Sequence, residues 1–247
     1  MAADPINQLQ EIEVTLRSDV GELVKVQSIG GKIIENPVNL SQPKRRALVR
    51  AIFAYFEGTS FGLKQVARDL RAVRLDIVDL AYVDDQQIKL VDSGKFKQTD
   101  TNIPTLTNIR LSFRLCAKAF GIVDRFNDEI GDGTGWKAIT DTQEVRDRIT
   151  HPRDPGKVAV SDDEIKTAAD AFDWYQAQLT LALRAAGLQM QAENLQKIIG
   201  KVRQGEDPRE HLRRFAKMLG QDDPTEEMME QATATLRNWA NEPPDKT

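Results

Sequence analysis

Two side chains of this 247-residue chain, His151 and His211, are of the type that exchanges protons near neutral pH. His151 stands in Val145-Arg-Asp-Arg-Ile-Thr-His-Pro152, with Arg146 five positions before it. On an unbroken helix five residues turn the chain by about 500°, which would leave the two side chains on different faces. Pro152 changes that expectation, because the residue before a proline is pushed out of the α region. The helix should end near His151 and let the imidazole swing back beside the last turn. There the macrodipole favours cations.

Such a pair suits cleavage of RNA without a metal. The ribose 2′-hydroxyl must lose a proton and the leaving oxygen must gain one, and an imidazole with a pKa of about 6.5 exchanges protons in that range. A guanidinium fork can hold the phosphate as charge builds on it. One histidine is too few for separate acid and base, so a homodimer that sets two copies together is expected. Spacing alone also admits a plainer role, since a histidine at a helix end can cap carbonyls.

The remaining chemistry-bearing residues offer less. His211, in Arg209-Glu-His-Leu-Arg-Arg214, has no evident partner nearby and reads as a surface or half-buried side chain. Two histidines so far apart, with no cysteine or carboxylate cluster at ligand spacing, predict no metal site, and nothing calls for a cofactor. No serine occupies a nucleophile-elbow context. Gly131-Asp-Gly-Thr-Gly135 lacks the strand and spacing of a phosphate-binding loop and reads as a linker or turn. Cys116, the single cysteine, lies in an apolar run and reads as a small buried thiol.

Composition sets the outer limits. With 34 Lys and Arg against 38 Asp and Glu, the net charge of −4 argues against non-specific coating of nucleic acid. A local basic pocket remains open. No window approaches the ~20 apolar residues of a membrane span, so no membrane partner is expected. The first residues lack the pattern of a signal peptide, which predicts a cytoplasmic protein.

The elements that must position the pair are helical. Ile6, Leu9, Ile12, Leu16 and Leu23 follow helical spacing until Gly30-Gly31, and Asn36-Pro37 marks a loop. Ser41 and Pro43 open a long helix to about residue 71, carrying Leu48, Ile52, Tyr55, Phe56, Leu63 and Val66. A third helix is expected over 75–91 and an exposed loop over 94–101. Pro104 opens a helix through Ile109, Phe113 and Phe120. Residues 136–150 form a shorter one, stopped by Pro152. Ser161-Asp-Asp-Glu164 is a capping box that starts a helix toward Gly187. Weaker helices are expected near 195–202, after Pro208 and after Pro224. No strand alternation of useful length is visible. The reading is all-α, with an N-terminal helical extension over 1–37, a core domain over 38–190 and a C-terminal helical extension over 191–247.

In this setting the Arg146–His151 segment resembles the Arg-x4–6-His signature of the HEPN ribonucleases, with a polar residue (Asp147) straight after the arginine and Pro152 after the histidine. Residues 47–64 resemble that family's first long helix, with Glu57 as its mid-helix acid. The capped helix after 158 resembles the one C-terminal to the motif in many bacterial members. The similarity covers roughly 41–187. The resemblance implies a HEPN-like bundle of four to five helices that dimerises, and a toxin or anti-phage effector that cuts RNA without metal to leave a 2′,3′-cyclic phosphate. Carried over by residue, Arg146 would hold phosphate and His151 would move protons. Asp147 would orient one of these, and Glu57 would contact Arg146. Arg148 and Arg153 would add RNA contacts. An antitoxin or other neutralising protein would be a further partner. One subgroup carries tyrosine two positions after the histidine; this chain has Arg153 there, so modification of such a tyrosine is not expected. The alternative is a non-catalytic helical module that dimerises or binds a partner.

Overall fold

A computed structural model of the chain describes residues 5–24, 27–29, 32–34, 40–90, 95–100, 102–121, 133–152, 154–218 and 224–241. Among these residues eight α-helices carry the fold and the strands form two short antiparallel hairpins. The helices are α1 (Pro5–Val24), α2 (Gln42–Arg71), α3 (Ile77–Val83), α4 (Thr105–Phe120), α5 (Thr134–Thr150), α6 (Asp162–Arg203), α7 (Pro208–Met218) and α8 (Glu226–Asn241). Strands β1 (Gln27–Ile29) and β2 (Lys32–Ile34) flank Gly30-Gly31, and β3 (Gln86–Leu90) pairs with β4 (Phe96–Asp100). The loop expected at Asn36-Pro37 lies outside the described residues. The chain divides into two compact units, 1–186 and 187–247, so the N-terminal helix belongs to the first unit.

Helix α2 is the axis of that unit. Its 30 residues bury Leu48, Ile52, Phe56, Leu63 and Val66 at helical spacing, and α1, α4 and α5 pack against it. Helix α1 comes close because α2 carries Gly58 and Gly62 where the side chains of Leu16 and Leu9 enter. A Cβ at position 62 would lie 2.6 Å from Leu9 Cδ1 and 3.4 Å from Leu9 Cβ, and Leu9 is itself fully buried. Gly62→Val is therefore expected to destabilise the protein by about 1–3 kcal/mol. Gly21→Ala, where a Cβ meets nothing within 4 Å, is expected to be neutral or slightly stabilising. Urea melts of the two variants check both outcomes.

The expected helix over 75–91 breaks into a short helix and a strand. Asp76 caps α3, its carboxylate accepting from the N–H groups of Val78 and Asp79, while Asp79 reaches back to the Asp76 N–H. Lys118 pairs with both aspartates, and these donors hold the Asp76 carboxyl down at about 2. The helix stops at Asp84, and Asp85 takes a left-handed φ of 54° that an aspartate tolerates. The fully buried Lys64 ammonium meets Asp85 at 2.6 Å, which fixes the turn into β3. Its partner β4 occupies most of the segment expected as a loop. Both strands are largely polar, so no period-two apolar signal announced them.

The Ser161 capping box forms as read: Ser161 N–H donates to Glu164 Oε2 at 2.8 Å and Glu164 N–H to Ser161 Oγ at 3.2 Å. The helix it starts runs 42 residues, past Gly187 and through the segment read as a separate helix. A mid-helix glycine costs only about 1 kcal/mol, and the flanking alanines, leucines and glutamines are strong helix formers. In the second unit Arg203 donates to the Ala240 and Trp239 carbonyls near the end of α8, and Arg209 pairs with Glu226. His211 is almost fully buried and its Nε2 lies 2.7 Å from Glu206, a partner the sequence reading missed.

The core of the first unit is aromatic. Tyr175 of α6 is fully buried between Phe56, Phe113 and Tyr55, with ring centroids 4.5, 5.4 and 5.8 Å away. Burial pushes the Tyr175 hydroxyl and the Cys116 thiol up to about 12 and raises Tyr55 as well. Each group holds its proton more tightly folded than unfolded. As pH rises through their ordinary values near 9–10, the unfolded chain ionises first and stability falls, continuing downward toward pH 12. Urea midpoints are expected to be level between pH 7 and about 8.5 and to drop above about 10. A midpoint that stays level to pH 11.5 would contradict this.

Candidate functional site

Helix α5 begins in the glycine-rich stretch read as a linker. Gly133 caps it, and Gly135 lies in its first turn against Trp174, where a Cβ would clash with the indole at 2.1 Å. Residues 131–132 lie outside the described residues. Trp136 then packs edge-on to Trp174 with centroids 6.3 Å apart, and the Arg110 guanidinium sits 4.2 Å over the Trp136 ring. Ile139, Thr142, Val145 and Ile149 are buried along one face. The polar residues of the last turn are therefore left at the surface, with Arg146 partly exposed and His151 exposed.

The helix ends where the proline rule places its end. Thr150 is the last helical residue, and His151 is the cap, at φ −123° and ψ 64°, with its N–H still bonded to Asp147 O at 2.9 Å. Thr150 Oγ1 also donates back to Arg146 O at 2.7 Å, beside the ordinary helical bond of that carbonyl. Among the described residues no hydrogen bond to the His151 ring is found, and the residue is exposed. The adjoining Arg153 lies outside the described residues.

Helix α2 supports this end with one stripe of side chains. Arg50 Nη2 donates to Ile149 O at 3.0 Å, across the terminal turn. Phe53 lies beneath the Arg146 guanidinium, 5.9 Å from its carbon. Glu57 Oε1 stands 3.5 Å from Arg146 Nη2 and also accepts from Thr105 Oγ1 of α4 at 3.2 Å. Asp147 Oδ1 holds Arg146 Nη1 at 3.0 Å within the same chain. Arg146, Asp147 and Glu57 are thus brought together, with His151 on the same helix end. These ion pairs are partly exposed and one is long, so each is worth at most about 1 kcal/mol.

Arg148 is turned elsewhere. Two residues rotate a helix by about 200°, which sends it to the far side from Arg146. There it donates to the carbonyls of Lys157 and Ala159 and pairs with Glu164 at 2.6 Å. It lines a pocket with Asp141, Glu144, Asp163 and Glu164, a setting that repels phosphate. Arg148 locks the turn after His151 to the start of α6. The N-terminal turn of α2 locks that segment from the other side: Gln42 exchanges two hydrogen bonds with Val160, and Arg45 donates to Val160 O and pairs with Asp162.

Sequence reading missed Arg46, Arg50, Phe53 and Thr105. For the first three the available signal was helical spacing from Glu57, which puts 46, 50, 53 and 57 on one stripe of α2; Thr105, on α4, gave none. Among the described residues no group of three or more His, Cys, Asp or Glu side chains is placed to hold a metal ion, and no helix is long and apolar enough to cross a membrane. Comparison of the chain with family models, with curated proteins and with solved structures finds no match.

Proposed function

We propose that this protein is a metal-independent endoribonuclease of the HEPN type, a toxin or anti-phage effector whose site is Arg146 and His151. One observation carries the reading: a proline-terminated helix presents an exposed imidazole and, five residues earlier, a guanidinium already oriented by two carboxylates and an aromatic face.

In the reaction the ribose 2′-oxygen attacks phosphorus and loses its proton to a basic imidazole. The P–O5′ bond breaks, and the departing 5′-oxygen takes a proton from an acidic imidazole. The products are a 2′,3′-cyclic phosphate and a 5′-hydroxyl, with no water consumed. Arg146 donates to the phosphate and stabilises the charge that gathers on its non-bridging oxygens. Glu57 and Asp147 are positioning residues that keep the guanidinium aimed. Each chain offers one histidine here, so acid and base come from two copies of the chain in a symmetric homodimer.

Arg146→Ala is expected to lower the rate of RNA cleavage by about 10²–10³ and Arg146→Lys by less, because lysine keeps the charge without the fork. Single-turnover rates on a labelled oligoribonucleotide measure the difference. Equal, undiminished rates in both variants would remove Arg146 from the site.

A further inference from the structure

The first half of α2 is strongly polarised. From Gln42 to Phe56 it carries Lys44, Arg45, Arg46 and Arg50 and no carboxylate, although the whole chain bears a net charge of −4. Arg45 is committed to Leu40 O, Val160 O and Asp162. Arg46 and Arg50 are spent less fully. Arg46 gives Nη1 to Val158 O at 3.5 Å, and Arg50 gives Nη2 to Ile149 O at 3.0 Å. A guanidinium has five N–H donors, so most of each fork is left for another acceptor.

Building on the ribonuclease reading, we propose that Arg46 and Arg50 hold successive phosphates of a single-stranded RNA that runs from His151 along α2 toward its N-terminus. Four residues separate the two arginines, which puts them on one side of the helix about 6 Å apart along its axis. Neighbouring phosphates of an extended strand are spaced comparably. Both side chains are anchored by carbonyls at the end of α5 and in the turn after it, so part of their freedom is lost before the ligand arrives. The path starts where Arg50 touches the last turn of α5, two residues from His151. Its two contacts are to phosphates, so it selects a polyanionic strand over a sequence.

Full-length His151→Ala protein and a fluorescein-labelled single-stranded oligoribonucleotide give the test. Fluorescence anisotropy yields Kd across a salt series. Adding Arg46→Gln and Arg50→Gln together is expected to weaken binding and to reduce the slope of log Kd against log salt by about 1.4, at roughly 0.7 per phosphate. The Arg46→Lys and Arg50→Lys pair, which keeps both charges, should retain the parent slope. An unchanged slope in the glutamine pair, an equal fall in the lysine pair, or no binding by the parent protein would each overturn the strand path. Cleavage by wild-type protein is scored separately. Its absence beside the expected slopes would remove the catalysis and leave the path, whereas cleavage with an unchanged slope would remove the path alone.

Discussion

His151→Ala leaves the chain folded and cuts RNA cleavage by about 10²–10⁴, the range for loss of a positioned acid or base. The fold tolerates the change because the ring is exposed at the helix cap, while the cap itself is made by the backbone N–H of residue 151 and survives in alanine. Pro152, which ends the helix, is untouched. The loss falls on the chemical step, so single-turnover rate constants drop while oligonucleotide affinity changes little. Because acid and base come from two copies of the chain, mixing wild-type protein with excess His151→Ala protein is informative. Sites built from two copies lose their activity in the mixed dimer, whereas sites complete within one chain keep activity in proportion to the wild-type chains. A His151→Ala protein that cuts RNA at the wild-type rate removes the histidine from the mechanism.

The largest effect on stability is expected from Tyr175→Ala. Truncating a fully buried aromatic ring costs about 3–5 kcal/mol. Here it also leaves the hydroxyls of Thr59 and Ser60, 2.9 and 3.0 Å from the Tyr175 oxygen, without that partner. Against a typical total of about 5–15 kcal/mol, the loss is a large fraction. It corresponds to a fall in Tm of roughly 6–20 °C for a chain of this size. Tyr175→Phe keeps the ring contacts and removes only the hydroxyl. Because Thr59 also donates to Tyr55 O at 2.6 Å, that variant should lose about 1 kcal/mol. Chemical denaturation of the two variants separates packing from hydrogen bonding. Similar losses in both would contradict the packing argument.

The helical elements were legible where one period governed a long segment. The stripe of Leu48, Ile52, Phe56 and Leu63, the Ser161 capping box and the proline stop at His151 each state their local structure directly. The β3–β4 hairpin was not legible, because its strands are short and mostly polar and the turn that leads into β3 depends on Asp85 and the distant Lys64. Gly187 misled for a related reason. Glycine is a weak stop, and its neighbours carry the helix through it. At the site, the Arg146–His151 spacing was visible, but the role of each neighbouring arginine was not. Arg148 and Arg50 look alike in sequence, and only helix rotation and the partners Lys157, Ala159, Glu164 and Ile149 decide which one is tied more fully into the scaffold. The Glu57–Arg146 pair joins residues 89 positions apart, and no local pattern encodes such a contact.

The most direct measurement is product analysis with purified wild-type protein in excess EDTA, using a single-stranded oligoribonucleotide and the same oligomer with 2′-deoxy sugars. The expected result is cleavage of the ribose strand alone, leaving 2′,3′-cyclic phosphate and 5′-hydroxyl ends. An intact ribose strand, cleavage of the deoxy strand, or 5′-phosphate ends would contradict the account.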